Sequence, residues 1–242
     1  MLLPLSDDNP TASAPLITIA LIAMNTAVFL YQMMLSHASE NMFVFQTGAI
    51  PYELTNLVSR AQIPIPGTSQ TYPPALLPFP LTLFSSMFVH GGFVHAGSNM
   101  LYLWIFGNNI EDAMGHGRFL VFYLLAGLAA SVVHVVSEPA STVPMIGASG
   151  AIAGILGAYF VLFPHAKIKT FLFIFIIIQV VQIPAVIMLG FWFLTQIVNS
   201  GSGGGVAWYA HIGGFLFGLF LIRRFERSKL RFLNIDREGE WR

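Results

Sequence analysis

Five polar residues lie in otherwise apolar parts of this sequence: His90, His95, Asn99, Ser149 and His211. Polar side chains inside apolar helices are costly, so they suggest a functional site. A serine beside a histidine forms a nucleophile with its general base, and neighbouring amide or imidazole N–H groups can bind an oxyanion. These residue types therefore predict hydrolytic chemistry at a carbonyl group, provided that the fold brings them together.

Ser149 is the candidate nucleophile, and it lies in the run Gly147-Ala148-Ser149-Gly150. The flanking glycines permit a tight turn and a close backbone approach to the hydroxyl. A helix that begins here leaves its first N–H groups unpaired and directs its positive dipole end to the same point. An isolated Gly-x-Ser-Gly is more often a helix cap or a packing site, so the assignment depends on its partners.

His211 is the candidate base. It shares one helical face with Gly214 and Gly218, which form a smooth stripe below it. A second stripe of small residues follows Ser149, at Gly150, Gly154 and Ala158. Helices with such faces can approach closely enough for a serine–histidine hydrogen bond of about 2.6–3.2 Å. No carboxylate lies near enough in these segments to complete a triad, so the sequence predicts a dyad.

His95 and Asn99 are four residues apart and share a helical face. They are candidate side-chain donors to an oxyanion, alongside the backbone N–H of Ser149. Hydrogen bonding between helices is the alternative role for either residue.

Composition indicates that membrane helices position these residues. Of 242 residues, 55% are hydrophobic and 9% are charged, about a third of the charge density of a soluble domain. The chain has no cysteine, which excludes disulfides, thiolate catalysis and zinc–thiolate sites. Its 11 Lys and Arg residues form no long basic stripe, so a nucleic-acid partner is not expected.

Six apolar runs are long enough to cross a hydrocarbon core of about 30 Å. They are residues 16–35, 93–110, 119–136, 144–163, 170–198 and 206–222. The sequence therefore predicts an all-α, six-transmembrane helix bundle in one membrane domain over residues 1–242. Pro184 lies inside the fifth run and predicts a bend there.

The basic residues predict the orientation, because short cytoplasmic loops are enriched in Lys and Arg. Ten of the eleven fall on one side of these spans: Arg118, Lys167, Lys169, Arg223, Arg224, Arg227, Lys229, Arg231, Arg237 and Arg242. Both termini are therefore expected in the cytoplasm, with a basic tail over residues 223–242. Arg60 lies on the other side, in the long first external loop at residues 36–92. Its apolar residues predict an ordered interfacial element with short helices before Pro64, whereas the alternative is a disordered linker.

The chain resembles the rhomboid intramembrane serine proteases from about residue 80 to 222. The matching motifs are His90-x4-His95-x3-Asn99, Gly107-Asn108-Asn109-Ile110-Glu111-Asp112, Gly147-Ala148-Ser149-Gly150 and Ala210-His211-Ile212-Gly213-Gly214. The resemblance implies Ser149 as nucleophile and His211 as base, with an oxyanion hole formed by Asn99, His95 and the Ser149 amide. It also implies transmembrane protein substrates in the lipid bilayer, no metal and no cofactor. We expect an integral multi-pass protein of a bacterial inner membrane.

The sequence departs from that family at two points. The first loop lacks the Trp-Arg pair of many bacterial members, so its anchoring must differ. Ala153 stands where some members have a tyrosine that stacks on the catalytic histidine. His211 must then be oriented by another group, such as backbone or water.

Two other functions compete with proteolysis. A metal-binding or transport protein would use His90, His95 and His211 as ligands, but no carboxylate or thiolate joins them. An inactive rhomboid-like chaperone would have lost the serine or the histidine, and this chain retains both.

Overall fold

The computed structural model describes residues 2–65, 67–174, 177–202 and 205–226, and most of them are helical. The helices are α1 Leu16–Met34, α2 His37–Thr47, α3 Pro51–Asn56, α4 Thr82–Ser85, α5 Phe93–Met114, α6 His116–Ser137, α7 Ser149–Leu162, α8 Ala185–Asn199 and α9 Trp208–Phe225. The strands are β1 Leu2–Asp7, β2 Lys167–Ile174 and β3 Ile177–Pro184. The predicted basic tail from residue 227 onward lies outside the described residues.

Helix α7 forms the centre of the bundle, and α5, α6, α8 and α9 pack around it. Nearly every side chain of α7 is buried, although the helix has only 14 residues. Its glycines approach α6 and α9 closely, and the large aromatics Phe106, Phe119 and Phe215 belong to the same buried core cluster. A helix that is apolar all round must be enclosed by other helices, as this one is.

Two of the described helices are both long and apolar enough to cross a membrane by length and composition, Leu16–Met34 and His116–Ser137. Two further apolar helices, Ser149–Leu162 and Ala185–Asn199, are shorter. Their 14 and 15 residues correspond to about 21 and 22 Å, less than a hydrocarbon core of about 30 Å.

The single helix predicted over residues 170–198 is wrong in its first half. Residues Lys167–Ile174 and Ile177–Pro184 form an antiparallel hairpin, and β1 adds a third strand in the order β1-β2-β3. The fold is therefore not all-α. The physical reason is local: a run of Ile, Val and Phe favours a strand over a helix. Pro184 does not bend a helix but immediately precedes α8, where its missing N–H costs nothing.

Two carboxylates at the C-terminal end of α5 hold this end of the bundle together. Glu111 accepts hydrogen bonds from the backbone N–H groups of Ile17 and Thr18, both at 2.8 Å. These N–H groups belong to the first turn of α1, which has no cap of its own. Asp112 likewise accepts from the N–H of Ser13 at 3.0 Å. The segment before α1 is thereby fixed to the end of α5.

The first loop is ordered, as the sequence predicts, and α2, α3 and a short turn at Arg60–Gln62 lie before Pro64. The expectation that helices lie only there is wrong, because the helix Thr82–Ser85 follows the last of the prolines, with short turns at Phe79–Leu81 and Ser86–Phe88 on either side. Anchoring comes from a buried ion pair. Arg60 is 1% exposed, bonds Glu53 and donates to the carbonyl of Phe45 at 2.7 Å.

Replacing Arg60 by alanine is expected to destabilise this loop by about 3–5 kcal/mol, because Glu53 would be left buried without its partner. Thermal denaturation in detergent micelles, followed with limited proteolysis between residues 36 and 92, measures the effect. The paired variant Arg60→Met with Glu53→Leu should recover much of the loss, since no charge then remains buried. Equal losses in the single and paired variants would contradict this account.

Candidate functional site

Ser149 is the first residue of α7 and follows a sharp turn at Gly147. Gly147 has φ of +114°, a conformation that favours glycine, and its N–H donates to the Ser86 carbonyl at 2.8 Å. A Cβ at this position would lie 2.6 Å from Nε2 of His95. Glycine is therefore required at this turn for two reasons: it adopts the positive φ, and it leaves room for the imidazole ring of His95.

His211 lies in the first turn of α9 and contacts Ser149 directly. The distance from Nε2 of His211 to Oγ of Ser149 is 2.8 Å. The approach depends on glycine, because a Cβ on Gly214 would overlap the Gly150 carbonyl and one on Gly218 would overlap the Gly154 carbonyl. The structure thus confirms that these glycines let the two helices touch, and it brings together the serine and histidine singled out in the sequence.

Gln196, on α8, holds the other side of the His211 ring. Its Oε1 lies 2.8 Å from Nδ1 of His211, and its Nε2 donates to the Trp192 carbonyl at 2.9 Å. Because the carbonyl can only accept, the amide is oriented with its oxygen toward the ring. Nδ1 of His211 must then carry the proton, which leaves Nε2 free to accept from Ser149.

Two tryptophans enclose the same imidazole. The Trp192 ring lies 5.8 Å from that of His211 at an angle of 37°, and the Trp208 ring lies 6.3 Å away, edge to face. Ala153 is buried below and provides no aromatic contact. The group that orients His211, which the sequence left open, is a side-chain amide of α8 together with aromatic rings of α8 and α9.

His95 and Asn99 both line the cavity around Ser149. The N–H of Gly91 donates to Nδ1 of His95 at 3.3 Å, so the neutral ring carries its proton on Nε2, the atom that faces the Gly147 turn. Asn99 is buried and uses one amide N–H on the His95 carbonyl at 2.7 Å. An amide has two N–H groups, so a second donor remains on this side chain.

His90 lies behind His95 and does not reach Ser149. Its ring is fully buried and packs edge to face on His95, with centroids 5.1 Å apart. Burial lowers the pKa of His90 to about 4, so the ring is neutral at physiological pH. Gln32 of α1 fixes its backbone by donating to the His90 carbonyl at 3.0 Å and accepting from the His90 N–H at 3.1 Å. His90 therefore supports the site from behind.

These groups line a cavity of about 1110 Å³. Ser149, His211, His95 and Asn99 meet in it, and Trp192 and Trp208 form part of its wall. Within the described residues, no three His, Asp or Glu side chains are grouped so that they could hold a metal ion. Both ring nitrogens of His211 are already engaged, with Ser149 and Gln196, which argues against a metal site that includes it.

The roles of Gln196 and Gln32 were not predicted from the sequence. Both are amides in apolar helices, and that polarity was an available signal. Spacing within one helix could not assign their partners, because each bonds a residue in a different part of the chain. Trp192 and Trp208 gave no signal beyond their size.

A family model described as the Rhomboid domain matches residues 80–227. Rhomboid protein 1, mitochondrial, of Saccharomyces cerevisiae is 31% identical over 176 residues, which cover 66% of this chain and 47% of the relative. Rhomboid protease GluP of Bacillus subtilis is 37% identical over 140 residues, covering 57% of this chain and 24% of the relative. Presenilin-associated rhomboid-like protein, mitochondrial, of Bos taurus is 29% identical over 190 residues, covering 75% and 45%.

The chain thus spans less than half the length of these three relatives. The family match nevertheless covers more than half of this chain, and it includes all five polar residues from His90 to His211. The chain belongs to the rhomboid family, whose fold is a bundle of membrane helices.

Proposed function

We propose that this protein is an intramembrane serine endopeptidase that cleaves transmembrane segments of other membrane proteins with a Ser149–His211 dyad. The observation that carries the proposal is the 2.8 Å contact between Oγ of Ser149 and Nε2 of His211. A nucleophile and base within hydrogen-bond reach, at the start of a helix and inside a cavity, have the geometry that acyl transfer requires.

In the proposed reaction, Nε2 of His211 accepts the hydroxyl proton while Oγ of Ser149 attacks the scissile carbonyl carbon. The carbonyl oxygen then carries negative charge. Its proposed donors are the backbone N–H of Ser149, Nε2–H of His95 and the second amide N–H of Asn99, and all three residues line the same cavity. The protonated His211 next donates to the leaving amine, and the Ser149 ester that remains is hydrolysed by a water molecule activated by the same base.

Gln196 acts on this reaction through His211. Accepting from Nδ1–H fixes both the ring orientation and the tautomer, as an aspartate does in a triad. Gln196 is 4% exposed and is held by the Trp192 carbonyl, so it is rigid. An uncharged amide also avoids the cost of a buried carboxylate at this depth.

The depth of the site supports transmembrane substrates. Ser149 begins a 14-residue helix, and about 21 Å of helix is shorter than the bilayer core, so the nucleophile lies below the membrane surface. We propose a six-span topology with both termini in the cytoplasm and a bacterial inner membrane as the location. The hairpin replaces the first half of the fifth span, which leaves α8 as its membrane-crossing part.

The metal-binding alternative is disfavoured because Gln196 and Ser149 occupy both nitrogens of His211. The inactive-chaperone alternative would require a broken dyad. A fluorophosphonate probe separates the three: the purified chain should be labelled on Ser149, and Ser149→Ala should abolish labelling. A folded wild-type protein that is not labelled would contradict the proposed enzyme activity.

Replacing Gln196 by leucine is expected to lower kcat about 100-fold with little change in KM. The reason is that His211 loses the acceptor that orients it, so that its ring can shift by about 1 Å or flip. Gln196→Glu should retain most activity, since a carboxylate can also accept from Nδ1–H. Cleavage of a transmembrane model substrate in vesicles measures both values.

Asn199→Leu provides the matched control, because it changes an amide one turn further along α8 that donates only to the Thr195 carbonyl of its own helix. It should cleave like the wild type. Wild-type kcat in a folded Gln196→Leu protein would remove Gln196 from the mechanism.

A further inference from the structure

The three-stranded sheet has no role in the proposed reaction, and its two ends differ in polarity. Near the bundle, Lys169 pairs with Gln182, and Ser6 and Asp7 lie opposite β2. Farther out, the strands comprise residues 171–174 (Phe-Leu-Phe-Ile) and 177–180 (Ile-Ile-Gln-Val), of which seven are apolar and none is charged. The adjacent part of β1 is Leu2 and Leu3, paired with Leu172 and Phe171. The sheet is thus polar at its base and apolar at its tip.

The base of the hairpin is fixed to the helices. Ile168 and Thr170 are fully buried, and Oγ1 of Thr170 lies 3.7 Å from Sδ of Met188 in α8. The tip is not covered in the same way. Val180 is 53% exposed, Phe173 is 44% exposed and Leu5 of β1 is 42% exposed. Apolar surface that is contiguous and exposed marks a binding surface.

The sheet lies at the end of the bundle opposite the catalytic cavity. Asp7 at its base accepts a hydrogen bond of 2.6 Å from the hydroxyl of Tyr159, which lies ten residues after Ser149 on α7, about 15 Å along the axis. Helix α8 begins directly after β3 and has an exposed apolar face at Ile187, Phe191 and Leu194, all more than half exposed. In a family of membrane helix bundles, that face of α8 contacts lipid.

We propose that the tip of the sheet, defined here as residues 171–173 and 179–180 with Leu2 to Leu5, inserts into the headgroup–acyl boundary of the bilayer leaflet opposite the catalytic cavity. Lipid is the occupant because β3 leads directly into α8, whose exposed apolar face contacts lipid in a membrane helix bundle. The two lysines at the base, Lys167 and Lys169, are exposed and match anionic headgroups in charge.

Insertion stops at the boundary for a physical reason. The outer edge of β3 pairs with no other described strand, so its backbone N–H and C=O groups need water or headgroups, which the hydrocarbon core does not supply. The boundary provides both an apolar phase for the Phe and Val side chains and polar partners for the strand edge.

The absence of cysteine from the chain allows a direct test with single-cysteine variants carrying a nitroxide. Lys169→Cys, Phe171→Cys and Phe173→Cys lie on one face of β2, spaced about 6–7 Å apart, and Val180→Cys lies opposite Phe171. The full chain is reconstituted in phosphatidylcholine vesicles with and without phosphatidylglycerol. Collision rates with oxygen, which concentrates in lipid, are compared with those of a water-soluble nickel chelate.

We expect the ratio of oxygen to nickel collisions to rise several-fold from residue 169 through 171 to 173, with residue 180 matching 171. Labels that are reached equally by nickel at all four positions would place the hairpin in water and overturn the proposal. Labels shielded from both reagents would assign the tip to another protein surface, such as a second copy, and would overturn it too.

A second measurement does not depend on a label. The fluorescence of Val180→Trp should be quenched by lipids brominated on their acyl chains more strongly than that of Lys169→Trp. Exchanging Lys167 and Lys169 for Gln in the Val180→Trp variant should reduce the difference in quenching between vesicles with and without phosphatidylglycerol. Neither test uses cleavage, so its outcome is independent of the proposed protease activity.

Discussion

Ser149→Ala and His211→Ala are each expected to reduce cleavage of a transmembrane substrate by about 10⁴-fold or more. The two residues act as one unit across a 2.8 Å hydrogen bond, so losing either removes the nucleophilic route. The double variant should be no worse than the single ones, because members of a catalytic unit are strongly non-additive. Initial rates in proteoliposomes with a fluorescent transmembrane substrate measure the effect.

Both variants should remain folded and inserted, since neither residue supplies a helix with its hydrophobicity. Thermal denaturation in detergent checks this point. A chelator should leave wild-type activity unchanged, because His211 is engaged on both nitrogens by protein groups. Cleavage that persists in Ser149→Ala would remove the dyad assignment, and activity that is lost in chelator and restored by zinc would favour the metal-binding alternative.

The contact between Ser149 and His211 could be predicted because each residue lies near the start of a helix with one face of glycine or alanine. Two such faces favour close packing of the two helices against each other. The position of the histidine relative to its own stripe then sets the depth at which it meets the serine. Helical periodicity carries this information within each segment.

The fifth span could not be predicted correctly from hydropathy. Residues 170–198 are uncharged and mostly apolar, and hydropathy does not distinguish a membrane helix from an apolar hairpin followed by a shorter helix. The information lay in side-chain shape, because β-branched and aromatic residues crowd the first half and Pro184 stands at the boundary between the strand and α8. Strand β1, which pairs with β2, comes from the N-terminal end of the described chain, so its pairing could not be predicted from the local sequence.

Gln196 was missed for a different reason. It lies in the same segment, and its role becomes visible only once α8 is placed beside α9. The departure at Ala153 had indicated that some other group must orient His211, but the sequence contains several amides and aromatics that could serve. Contacts between residues on different helices are set by tertiary packing, which the periodicity within a single helix does not reveal.

Gly214→Val is expected to lower kcat by about 100-fold or more while the protein remains inserted. Even a Cβ on residue 214 would overlap the Gly150 carbonyl oxygen, and Ala153 lies 3.2 Å away. The two helices must therefore separate, which moves His211 away from Ser149 at the point where their hydrogen bond forms. Gly214→Ala should show the same defect to a smaller degree, and Gly218→Ala should resemble it because it overlaps the Gly154 carbonyl.

Gly117→Val is the matched control, since a Cβ there meets no atom within 4 Å and the residue lies in the first turn of α6, far from the cavity. It should cleave like the wild type. Fluorophosphonate labelling and cleavage rates are compared at equal amounts of folded protein, judged by detergent gel filtration and thermal denaturation. Loss of labelling in Gly214→Val at normal melting temperature would locate the defect in the spacing of nucleophile and base. Wild-type turnover by a folded Gly214→Val protein would instead show that the close approach of α7 and α9 is not what holds the dyad together.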